Sequence, residues 1–162
     1  MKHKEHAPQR SGKDYLPLII IITLIGIVAG ISSGGDIDRF MLNSMIGVFL
    51  VFGGFKLIDL KGFVDGYATY DLLARHWRGY GYLYPFLEIA FGLVMFAGFH
   101  PDWLLWTEAA WMIFSSLGVV IAMRRQTDIQ CVCLGTALKI PLTSVTVLEN
   151  VGMAALAIAL IL

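Results

Sequence analysis

The two cysteines of this 162-residue chain stand one residue apart, in the stretch CVCLGTALKIPLTSVTVLEN that runs from Cys131 to Asn150. In extended chain, residues two apart point to the same side, so the sulfurs can meet as a disulfide or grip one soft ion. A disulfide closing so small a ring is strained and easily reduced, which suits exchange better than stapling. Two thiolates also suit Cu(I), which favours soft ligands. Plain packing is the third use of cysteine in an apolar protein. Gly135, Thr136 and Lys139 nevertheless surround the pair with a polar turn, and two cysteines are too few for a disulfide framework.

A second set of residues is conspicuous because of what surrounds it. Lys56, Glu88, Glu149 and Asn150 stand in otherwise apolar sequence, and 57% of the chain is hydrophobic with a mean hydropathy of +0.73. Soluble domains are nearer 45–50% apolar, so the composition indicates an integral membrane protein in contact with lipid. The formal net charge of +0 gives no global field to attract nucleic acid. No phosphate-binding loop, dinucleotide fingerprint, HExxH zinc motif or nucleophile elbow is present.

Roughly 20 apolar residues are needed to cross the hydrocarbon core, and five segments qualify: 15–32, 40–60, 81–99, 103–123 and 141–162. Thr146 to Glu149 fits a T-x-x-E capping box. A helix starting there spans only about 24 Å, however, whereas one starting at Pro141 spans about 33 Å, which buries Glu149 roughly 12 Å along the last span. Lys56 lies about 6 Å from the same end of the second span and Glu88 about 10 Å into the third. A charge in hydrocarbon costs at least about 2.5–3.5 kcal/mol, so such groups face the bundle interior and pair. A cluster of Lys56, Glu88 and Glu149 with Asn150 is expected directly behind the cysteines. Glu108 stands alone in the outer half of the fourth span and has no evident role. Gly26 and Gly30 have the GxxxG spacing of a helix contact face, a spacing that is also common by chance.

Between the second and third spans, Phe63, Tyr67, Tyr70, Ala74 and Trp77 recur at spacings of four and three, with Asp65, Asp71, Arg75 and Arg78 off that stripe. This pattern predicts an amphipathic helix lying in the cytoplasmic interface. Orientation follows from the basic residues. With the N-terminus in the cytoplasm, that side receives Lys2, Lys4, Arg10, Lys13, Lys61, Arg75, Arg78, Arg124, Arg125 and Lys139, and the outer loops receive Arg39. Trp77, Tyr80, Tyr82 and Tyr84 form one aromatic belt, and Trp103 and Trp106 the other. The C-terminus is then on the outer side and the cysteines face the cytoplasm, a reducing compartment. The first span, 15–32, reads as an extra helix or signal anchor; cleavage as a signal peptide would leave the remaining orientation unchanged. The polar head, 1–14, reads as a disordered tail bearing His3 and His6.

The segments GGFKLIDLKGF, YPFLEIAFG and CVCLG followed by LEN resemble, in combination and order, the MauE family of small membrane proteins within the DoxX-like group. The resemblance runs from Phe40 to the end. It implies a four-helix membrane domain over 40–162, a redox-associated role, and location in the bacterial inner membrane. The family's namesake is needed to mature the disulfide-rich small subunit of methylamine dehydrogenase. Carried over by position, Cys131 and Cys133 are the implied functional residues, with Lys56 and Glu88 as intramembrane polar sites. The family's usual C-x-C-F-G has Leu134 here in place of the aromatic.

The expected molecule is therefore an all-α integral membrane protein: a four-helix transmembrane bundle, one extra N-terminal transmembrane helix and a cytoplasmic interfacial helix. The expected chemistry is thiol–disulfide exchange by Cys131 and Cys133 with a protein client or thiol-redox partner, without a cofactor. Two alternatives stay open. One is a Cu(I)-binding or transport-associated protein using the same cysteines, with His3, His6 or a methionine. The other is a structural assembly subunit without chemistry. Self-association is open in all three.

Overall fold

The computed structural model describes residues 16–69, 71–124 and 143–162, and these form six helices: α1 (Leu16–Ser33), α2 (Ile37–Ile58), α3 (Leu60–Tyr67), α4 (Arg78–Phe96), α5 (Asp102–Arg124) and α6 (Thr143–Ile161). No strand occurs among the described residues. Among the described residues, four stretches are long and apolar enough to cross a membrane: α1, α2, α4 and residues Asp102–Ile121 of α5. α6 is apolar over Val147–Ile161. It begins before Thr146, so the T-x-x-E stretch lies inside the helix instead of opening it.

The helices α2, α4, α5 and α6 enclose one core, in which α2 packs closely on α4 and on α6, and α5 on α6. Trp111 of α5 closes the fourth side by packing its ring on Tyr84 and Phe91 of α4. α1 lies outside this group against α2, where Asn43 Nδ2 donates to Ser32 Oγ at 2.9 Å. Its remaining face presents Ile20, Leu24, Ile27 and Ile31 outward, as suits a helix with lipid on most sides.

Two glycines bring α2 and α4 together. A Cβ at Gly53 would lie 2.9 Å from Ile89 Cγ1, and one at Gly92 would lie 2.9 Å from Leu50 Cδ2 and 3.1 Å from Phe49 Cβ. Small residues of this kind let helix backbones approach where no hydrophobic force drives association. The consequence is chemical, because Lys56 follows Gly53 by one turn and Glu88 precedes Gly92 by one turn.

The segment after α2 differs from the single interfacial helix expected from its apolar stripe. Asp59 leaves helical geometry and its carboxylate accepts from the Gly62 amide at 2.9 Å, starting the eight-residue α3. α3 stops at Tyr67, and residues 72–76 form turns. The reason lies in Asp71, whose Oδ1 accepts from the Leu73 and Ala74 amides at 2.9 and 2.8 Å. An aspartate that binds the backbone ahead of it competes with helix continuation. The stripe also divides. Phe63, Tyr67 and Ala74 are buried with Tyr80, Tyr84 and Val119, whereas Trp77 is exposed. Tyr70 lies outside the described residues. α3 is thus packed against protein along its apolar face.

Candidate functional site

Lys56 lies in the last turn of α2 and is 3% exposed. Its ammonium donates to Glu88 Oε1 and lies 3.6 Å from Glu149 Oε1. The same Nζ sits over two rings, 5.2 Å from the centroid of Tyr84 and 5.9 Å from that of Phe63. One cation therefore ties together α2, α3, α4 and α6. Cation–π contacts contribute about 0.5–2 kcal/mol each. The carboxylates are what make the lysine tolerable in an apolar interior. Asn150, next to Glu149, is 2% exposed; its Nδ2 and Glu88 Oε2 have no hydrogen-bond partner among the described residues.

A second polar layer lies toward the end where α3 packs. The Tyr67 hydroxyl donates to Asp71 Oδ2 at 2.8 Å and is 3.1 Å from Ser115 Oγ of α5. Tyr84 packs against Tyr67 with ring centroids 4.7 Å apart, and Trp111 Nε1 donates to the Tyr80 hydroxyl at 2.6 Å. Burial, with Tyr84 and Asp71 close by, pushes the Tyr67 hydroxyl well above its ordinary range and keeps it a donor. Arg78, opening α4, pairs with Asp65 of α3 at the surface. This exposed pair contributes at most about 1 kcal/mol.

The structure thus brings Lys56, Glu88 and Glu149 into contact, with Asn150 beside them on α6. Cys131 and Cys133 lie outside the described residues. Glu108 is fully buried, and both its carboxylate oxygens lack a hydrogen-bond partner among the described residues. Tyr67, Asp71, Ser115 and Trp111 were not singled out as a network from sequence. The available signal was the 3-4 spacing that aligns Trp111 with Ser115 on α5, which says nothing about a partner on α3. No group of three or more histidine, cysteine, aspartate or glutamate side chains among the described residues is placed to hold a metal.

A family model described as methylamine utilisation protein MauE matches residues 18–162. The match begins inside α1 and is wider than the resemblance read from Phe40 onward. No curated protein and no solved structure matches the chain. The helices that can cross a membrane all fall within the matched region or nearly so, and this multi-pass membrane protein belongs to the MauE family.

Proposed function

We propose that Cys131 and Cys133 carry out thiol–disulfide exchange with a protein partner at the inner membrane, in support of a methylamine-utilisation system. The observation that carries the reading is the burial of Lys56 between Glu88 and Glu149. The cysteine segment joins α5 to α6, and Glu149 lies in the second turn of α6. The ion cluster clamps the start of α6 to α2 and α4, and so fixes one anchor of the chain that bears the thiols. Lys56 acts in this reading as a positioning residue. Its charge is already answered by two carboxylates, so it offers little to a thiolate.

The exchange balances without a cofactor. The Cys131 thiolate attacks one sulfur of a partner disulfide, the partner's S–S bond breaks, and its other sulfur leaves as a thiolate. Cys133 then attacks Cys131, releasing the reduced partner and leaving a Cys131–Cys133 disulfide. The partner gains two electrons and this chain loses two; the reverse sequence oxidises the partner.

Replacing Cys133 with serine is expected to trap a mixed disulfide through Cys131, seen as a reducible higher-mass band, and either single serine variant is expected to abolish partner maturation. Full maturation with both variants would overturn the reading and leave a structural assembly role. Loss of bound copper without any trapped partner would instead assign the thiols to Cu(I).

A further inference from the structure

The chain enters α4 through a turn fixed from below. The buried Asp71 carboxylate accepts from the Leu73 and Ala74 amides, and the Trp77 amide closes the turn on the Leu73 carbonyl at 2.8 Å. Leu73, Arg75, His76, Trp77 and Arg78 are thereby left exposed. Trp77 is 62% exposed, yet its ring is held in place. A Cβ at Gly79 would lie 2.7 Å from Trp77 Nε1 and 2.8 Å from its Cε2, so the indole lies across the first turn of α4 where glycine leaves room. The Arg75 side chain has no hydrogen bond or ion pair among the described residues. Arg78 pairs with Asp65 through one nitrogen, and a guanidinium with five N–H donors keeps others to offer.

Charge decides what this surface attracts. Over residues 60–78 the exposed Lys61, Arg75 and Arg78 face only one exposed carboxylate, Asp65, because Asp71 is buried beneath the turn. The excess is cationic, and the only exposed carboxylate that could receive the ammonium of a zwitterionic headgroup is already paired with Arg78. Guanidinium matches the geometry of a phosphate, and an indole with an outward N–H suits the headgroup level of a bilayer. The helix below continues the same outline. Arg78, Tyr82 and Phe86 recur every four residues, share one face of α4 and are all exposed. Eight residues of helix rise about 12 Å, which carries this face from its charged end into the apolar span. A soluble anion matches the arginines but not the aromatic face beneath them, whereas a phospholipid matches both.

We propose that Arg75, Trp77 and Arg78 hold the phosphate of an anionic phospholipid whose acyl chain lies along Tyr82 and Phe86. The lipid is a bound partner at the entrance to α4, and the site is independent of the thiol chemistry of Cys131 and Cys133.

The test presents the full-length chain in neutral detergent with equal amounts of phosphatidylglycerol and phosphatidylcholine and reads retained lipid by native mass spectrometry. Preferential retention of phosphatidylglycerol is expected. Arg75→Gln is expected to cut that preference about fivefold, and Arg75→Gln with Arg78→Gln about tenfold or more. Arg75 is exposed and its side chain has no protein partner among the described residues, so the single variant keeps the fold, and thermal unfolding verifies this. Arg39→Gln, at the start of α2, is expected to leave the preference unchanged, and an excess of inorganic phosphate is expected not to displace the lipid. The proposal is overturned if the two lipids are retained equally, if the double variant keeps the preference of its parent, if Arg39→Gln lowers it as much as Arg75→Gln, or if inorganic phosphate competes the lipid away.

Discussion

Lys56 is stable in an apolar interior because its ammonium meets two carboxylates and two ring faces at once. Removing the cation alone leaves Glu88 and Glu149 buried against each other. Lys56→Met is therefore expected to destabilise the protein by about 3–5 kcal/mol, measured by reversible unfolding in mixed micelles. Adding Glu88→Gln and Glu149→Gln to that variant removes the repulsion, and much of the stability is expected to return. If the triple variant is as unstable as Lys56→Met, the three side chains do not act as one unit. The same logic applies on a smaller scale at Tyr67, whose hydroxyl serves both Asp71 and Ser115. Tyr67→Phe keeps the stacked ring and deletes the hydroxyl, with an expected loss of about 1–3 kcal/mol because buried Asp71 loses a donor. An unchanged unfolding transition would show that water replaces it.

Among the elements, the close crossing of α2 and α4 carries the site, and neighbouring glycines offer an internal control. A Cβ at Gly53 meets Ile89, Glu88 and the Pro85 carbonyl, whereas one at Gly54 meets nothing within 4 Å. Gly53→Val is expected to cost about 1–3 kcal/mol by overpacking, and Gly54→Ala to be neutral or stabilising by up to about 1 kcal/mol through helix propensity. Equal effects at both sites would mean that the crossing is not tight. How much of this was legible in sequence depends on the kind of constraint involved. Lys56, Glu88 and Glu149 could be placed at one level because a charge in hydrocarbon must find a partner and each helical residue rises about 1.5 Å. The end of α3 was not legible, since Phe63, Tyr67 and Ala74 keep a helical stripe whether the chain continues as helix or turns at Asp71. The aspartate decides it through two amide bonds that no periodicity records. Nor could the sequence reveal that the Glu108 carboxylate lacks a hydrogen-bond partner among the described residues, because that depends on which residues of α2, α4 and α6 reach its level.

At the scale of the whole molecule, the question is which end of the bundle faces the cytoplasm. Lys56 lies in the last turn of α2, Glu88 at the middle of α4 and Glu149 in the second turn of α6. Their contact requires α2 to run opposite to α6, and α4 to return beside α2. The basic residues follow this alternation: Lys61, Arg75 and Arg78 gather near the end that holds Lys56, and Arg39 lies at the opposite end beside Asp36. Basic residues in short loops favour the cytoplasmic side, so the end with Lys56 is expected to face inward. On that orientation Cys131 and Cys133, which lie between α5 and α6 in the sequence, are expected on the cytoplasmic side too. A membrane-impermeant thiol reagent is expected to leave both cysteines unlabelled in intact cells and to label them in inverted vesicles. A single cysteine placed at Asp38 in a Cys131→Ser and Cys133→Ser background should show the reverse pattern, because it lies at the start of α2 at the other end. Labelling of the native cysteines from outside would invert the molecule.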